Sequence, residues 1–190
     1  MAPHLIIGID PGLTSGGVVL LEGPTERVIA AKSLVARIPR LEVPLGDKAF
    51  TAAERHAAHQ ADAVGAAVSQ MRAEHGEIVA IGMESFIDQP HRARTARHIK
   101  ERWKTPLAIG HICARLHSLG FSSAEGTLVF QDPSILGQFA RELGALEARP
   151  RTSSAQVVCA GDHLLTNDHL RKAWAHGAWL NIRISKDGTP

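Results

Sequence analysis

The amino-acid sequence predicts an α/β domain: a mixed sheet that opens with a three-stranded meander and carries helices on both faces. Three observations lead there. Apolar runs separated by turn residues fill the first 35 positions. Beyond them, helical stripes alternate with single short apolar runs. Two of the apolar runs end on an acid, at Asp10 and at Glu84.

Leu5, Ile6, Ile7 and Ile9, with Gly8 among them, read as a strand buried on both faces. Asp10 closes that strand, and Pro11-Gly12 turns the chain. Gly16-Gly17 leads into a second apolar run, so further strands are expected over 17–22 and 27–34, joined by a turn at Gly23-Pro24. Residues 36–50 read as a loop. Thr51 and Glu54 form a capping box, and Ala57, Ala61, Val64, Val68 and Met71 make one helical stripe ending near Gly76.

Ile78 to Met83 is a second buried strand, closed by Glu84. A basic segment follows, read as loop then helix, in which Pro106 either starts the helix or kinks a longer one. Ile109, Ile112, Leu116 and Leu119 are its stripe, and Gly120 stops it. A short strand is expected over Thr127–Phe130. Asp132-Pro133 then caps a short helix to about Leu143. Residues 144–162 show no clear pattern. Thr166 or Asn167 caps a last helix to about Asn181. The whole reads as one domain over 1–184 with a flexible tail at 185–190.

The chain has 190 residues, 44% hydrophobic and 21% charged, a composition ordinary for a globular protein with a full core. No apolar run approaches the roughly 18 residues of a membrane span, and no basic-then-apolar N-terminal segment suggests secretion. A cytoplasmic protein without membrane contact is expected. Cys113 and Cys159 lack metal-ligand spacing and are expected to be reduced thiols. The net charge is only +2, but His91 to Lys104 holds six cations (Arg92, Arg94, Arg97, Lys100, Arg102 and Lys104) against Glu101 alone. That block implies a polyanionic partner, although a solvated helix face is the commoner fate of a charge run.

Taken singly, Asp10 can be a turn former and Glu84 a helix cap. Taken together, two acids at the ends of neighbouring buried strands repel unless divalent cations lie between them. Mg²⁺ accepts a few carboxylates with water and phosphate oxygens. Two such ions can activate water and stabilise the leaving oxygen in phosphodiester hydrolysis. The last helix adds Asp168, His169, Lys172 and His176, which fall within an arc of about 100°. Leu170, Ala173, Trp174, Gly177 and Ala178 take the other side. The competing reading of that arc is an ordinary solvated face with Asp168 at the helix N-terminus.

At this point IIGIDPGLTSGGVVLLE resembles the first strands of the RuvC family of Holliday-junction resolvases, in the RNase H-like superfamily. IVAIGMESF resembles that family's second acidic strand, and the basic helix with IGHICARL its DNA-facing and dimer-forming segment. LVFQDPS resembles the last strand, and TNDHLRKAWAHGAWL the final catalytic helix. The resemblance spans roughly residues 4–181. It implies an RNase H-like sheet and a structure-selective endonuclease using Mg²⁺ or Mn²⁺, two ions in all. The enzyme would be a homodimer cutting four-way junctions in a bacterial or phage-infected cell.

By that resemblance Asp10, Glu84 and His169 are metal ligands and catalytic groups. Lys172 stands where the family pattern has its final Asp. Either Asp168 then supplies the carboxylate from the adjacent turn or one metal is weakly held, and Lys172 joins the basic block in binding DNA. Two other readings compete. One is a non-catalytic DNA-binding protein on the same fold, disabled at Lys172. The other is an actin-like ATPase or sugar kinase, but the duplicated domain, second phosphate loop and adenosine motif that such folds need are not found in the sequence.

Overall fold

The computed structural model describes residues 4–23, 25–35, 48–86, 103–132, 158–160, 163–165 and 167–187. Three strands open the chain: β1 (His4–Asp10), β2 (Ser15–Gly23) and β3 (Arg27–Val35). Helix α1 (Lys48–His75), β4 (Ile78–Glu84), α2 (Lys104–Ser118) and β5 (Leu128–Gln131) follow. A small hairpin, β6 (Val158–Ala160) and β7 (His163–Leu165), precedes the last helix, α3 (Asp168–Asp187).

The main sheet has the order β3-β2-β1-β4-β5. β1 pairs antiparallel with β2 and parallel with β4, and β4 pairs parallel with β5. The expected mixed sheet and meander are therefore present. β1 sits at the centre, which explains its unbroken apolar run: Ile6, Ile7 and Ile9 are all fully buried.

Alternation along the strands gives the sheet two unlike faces. Ile7, Ile9, Val18, Leu20, Ile81 and Met83 point to one side, where they pack on Val64, Val68 and Met71 of α1 and on Ile112 and Leu116 of α2. The stripe expected for α1 is buried, and that of α2 packs on the same core, Ile112 and Leu116 fully and Ile109 and Leu119 in part. On the other side Val19, Leu21 and Val28 meet Ala173, Trp174 and Ala178 of α3, and Ile6 and Ala80 meet Leu180 and Ile184. Helices thus cover both faces.

Several boundaries move. α1 begins at Lys48, three residues before the expected capping box, so Thr51 lies inside the helix. No Gly or Pro separates Lys48 from Thr51, and helix propagation runs on until one intervenes. α2 starts at Lys104, with Pro106 in the first turn, where a missing N–H breaks no intrahelical bond. β5 is shifted by one residue and includes Gln131. α3 extends to Asp187, taking in residues 185–187 of the stretch read as a tail, because Ile184 still packs on the core. The β6–β7 hairpin adds two short strands around the end of the poorly patterned region. The helix expected after Asp132-Pro133 lies outside the described residues.

Candidate metal centre

The site forms where β1 and β4 end beneath α3. Ile9 and Met83 are register partners in the parallel pair, so Asp10 and Glu84, which follow them, stand abreast on the α3 side. Asp10 is buried, at 4% exposure, while Glu84 is partly open.

What brings α3 so close is a floor of glycines. Gly8 and Gly82 are partners across β1 and β4, and Gly17 pairs with Asp10 across β1 and β2. A Cβ at Gly8 would lie 1.8 Å from the Ala173 carbonyl oxygen, and one at Gly17 would lie 2.5 Å from that of His169. At Gly82 it would meet the His176 carbonyl oxygen at 2.8 Å. Only residues without side chains let the helix backbone rest on the strands. Asn167 caps α3, its Oδ1 accepting from the His169 N–H at 2.8 Å. The helix start and its rotation are thereby set.

His169, Lys172 and His176 follow one another at three and four residues along the face of α3 turned to the acids. His169 Nδ1 lies 2.5 Å from Asp10 Oδ2, and its Nε2 lies 2.8 Å from Ser15 Oγ. The hydrogen bond to Asp10 raises the His169 pKa above its usual value, against the opposing effects of burial and Lys172. His176 is fully buried. Its Nδ1 lies 2.7 Å from Gln131 Oε1, while Gln131 Nε2 donates to the His176 carbonyl oxygen at 2.9 Å. A carbonyl only accepts, so the amide nitrogen must face it and the amide oxygen must face Nδ1. Nδ1 therefore carries the proton, and Nε2 presents a lone pair. That Nε2 has no hydrogen-bond partner and stands 3.7 Å from Glu84 Oε2.

Burial lowers the His176 pKa, outweighing the opposite pull of Glu84 and Asp10. Burial pushes the Glu84 carboxyl up, but His176 and the Lys172 charge together bring it below its ordinary value. A neutral imidazole beside an ionised carboxylate is the protonation state that metal ligation requires. Asp10, Glu84 and His176 each offer a ligand atom, and the three lie within 4.8 Å of one another. The donor set fits a divalent ion: two hard oxygens and one imidazole nitrogen.

The sequence-derived residues divide. Asp10 and Glu84 come together as expected. His169 reaches Asp10, with both ring nitrogens engaged. Asp168 pairs with Arg171 one helical turn on and is not one of the Asp10–Glu84–His176 group. The charge of Lys172 acts on Glu84, His169 and His176 alike. Lys104 is the first residue of α2; Arg92, Arg94, Arg97, Lys100 and Arg102 lie outside the described residues. The sequence places His176 only within the polar arc, and it does not single out Gln131 or Ser15. The available signal for Gln131 is its place one residue beyond an expected strand, level with Glu84 in the pairing register.

A five-stranded mixed sheet of this order, helices on both faces and an acid pair under the last helix define an RNase H-like fold. Within that class the chain is similar to Thermus thermophilus RuvC. The structure of that protein in complex with a Holliday junction substrate aligns with a TM-score of 0.61 at 15% identity, covering 98% of each chain. A second T. thermophilus RuvC structure aligns with a TM-score of 0.52 at 16% identity, covering 97% of each. No family model matches the sequence, and no curated protein matches it either.

Proposed function

We propose that this chain is a metal-dependent, structure-selective endonuclease that hydrolyses phosphodiesters in branched DNA, acting as a homodimer on four-way junctions. The observation that carries the reading is the pairing of buried Asp10 with partly open Glu84 at adjacent strand ends, both within ligand distance of a buried imidazole. The similar T. thermophilus RuvC was solved with a Holliday junction substrate, which supports the choice of DNA. A divalent ion, Mg²⁺ or Mn²⁺, would polarise the phosphate and lower the pKa of its water. Asp10, Glu84 and His176 would hold it. His169 orients the Asp10 carboxylate, and Ser15 in turn holds the His169 ring. Asp168, tied to Arg171, steadies the first turn of α3. The cations Arg92, Arg94, Arg97, Lys100, Arg102 and Lys104 would track the phosphates leading to the site, with Lys172 at its centre. The setting in which such DNA is met is the cytoplasm of a bacterial or phage-infected cell.

Lys172 favours a second reading, a junction-binding protein that does not cut. One experiment separates the two. Cleavage of a synthetic four-way junction is measured beside binding, for the wild type and for Asp10→Asn and Glu84→Gln. The nuclease reading expects metal-dependent cutting by the wild type, lost in both variants while binding persists. Binding without cutting by the wild type supports the second reading, and undiminished cutting by either variant removes the acids from the mechanism.

A further inference from the structure

We propose that the centre holds one divalent ion, on Asp10, Glu84 and His176, and that the Lys172 ammonium takes the place of a second ion. This deepens the nuclease reading and rests on it only for the purpose the ion serves.

The starting point is His176 Nε2. It is wholly buried, it lacks a hydrogen bond, and it faces a carboxylate oxygen at 3.7 Å. The Gln131 clamp leaves that nitrogen without a proton, so a lone pair confronts an anion inside the protein. Two electron-rich groups so placed need a cation between them. Water could satisfy the nitrogen alone, but a divalent ion satisfies the nitrogen and both carboxylates at once. Gln131 supplies the outer-shell support that ligating histidines ordinarily have, fixing tautomer and ring orientation through Nδ1. An imidazole in the set favours Mn²⁺ over Mg²⁺, which prefers oxygen throughout.

The second cation position is where Lys172 matters. It lies on the α3 face between His169 and His176, three residues after one and four before the other, and both neighbours reach the acids. A primary ammonium there supplies fixed positive charge to the carboxylates and repels a second divalent ion. His169 does not replace the missing ligand, because its nitrogens are committed to Asp10 and Ser15. The site is thereby built for one exchangeable ion and one covalently tethered cation.

The test is Mn²⁺ binding to metal-free protein without DNA, read by calorimetric stoichiometry and by the ¹⁴N coupling of bound Mn²⁺ in pulsed electron paramagnetic resonance. One ion per chain with a nitrogen coupling is expected. His176→Gln should abolish the coupling and weaken Mn²⁺ binding about tenfold or more. Lys172→Asp should raise the stoichiometry from one to two. His169→Ala should retain the coupling, and this arm decides the nitrogen's origin even if His176→Gln fails to fold. Two ions in the wild type, absence of binding at millimolar Mn²⁺, or loss of the coupling in His169→Ala would each overturn the proposal. Junction cleavage is scored separately: one bound ion without cutting overturns the nuclease reading and leaves this centre standing. Cutting with two bound ions does the reverse.

Discussion

The two faces of the sheet are covered by helices in opposite ways. Under α1 and α2 the strands present large aliphatic side chains, and the contact is a layer of interdigitated Ile, Val, Leu and Met. Under α3 the strands also present Gly8, Gly17 and Gly82 among Ile6, Val19 and Leu21, and at those glycines the helix backbone lies almost on the sheet. The first arrangement packs large apolar side chains against one another, so its stabilisation comes from the burial of those side chains. The second gives up area for position: a helix resting on backbone has little freedom to slide, and its side chains reach the strand-end acids from a fixed height. The core under α1 and α2 and the candidate site are thus back to back, sharing β1 as their common wall.

The largest expected effect comes from filling the glycine floor. Gly8→Ala forces a methyl into the Ala173 carbonyl, so α3 must lift; we expect a loss of at least about 3 kcal/mol, at the upper end for overpacking. Chemical denaturation measures it, and metal affinity should fall with it. Wild-type stability in the Gly8→Ala variant would show that α3 is not seated as described.

Ile112→Ala probes the opposite face. It should cost about 2–5 kcal/mol as a buried large-to-small change, yet leave the metal affinity of the folded protein unchanged. A drop in affinity comparable to that of Gly8→Ala would erase the distinction between the faces.

Acid sensitivity is the smallest effect. The folded-state pKa of His176 is lowered from 6.5, so the unfolded chain binds this proton more readily. Its contribution is complete above about 6.5 and declines as pH falls below that value. Glu84, also lowered, acts in the same sense further down, below 4.5. His169, whose pKa is raised, acts oppositely: its contribution is present below 6.5 and lost as pH rises through its folded value. In metal-free protein, His176→Gln should therefore flatten the fall in melting temperature just below pH 6.5. Parallel wild-type and variant curves would contradict the buried neutral imidazole.

Much of this was legible in the sequence. The central strand, its terminal Asp10 and the matching strand ending in Glu84 follow from short apolar runs closed by acids, a local signal. The stripes of α1 and α2 and the Asn167 cap are equally local. His176 and Gln131 were not legible as a pair, because their contact joins residues 45 apart and depends on the β4–β5 register and the height of α3. Asp168 is placed in the arc by its spacing, whereas its ion pair with Arg171 on the same helix is not legible from that spacing. The three-residue strands of the β6–β7 hairpin are too short to carry a period. The glycines were visible as letters, but their use requires knowing what lies above them.

The clamp between Gln131 and His176 also orders events in time. Ribosomal synthesis delivers α3 after every strand of the main sheet. Until it docks, Asp10 and Glu84 sit on a sheet face with no imidazole opposite them, and Gln131 has nothing to grip. The clamp closes only when β5 has joined β4 and the helix has settled on its glycines. A nascent chain would therefore lack the assembled Asp10–Glu84–His176 group through most of its assembly, and would acquire it in a single late docking step.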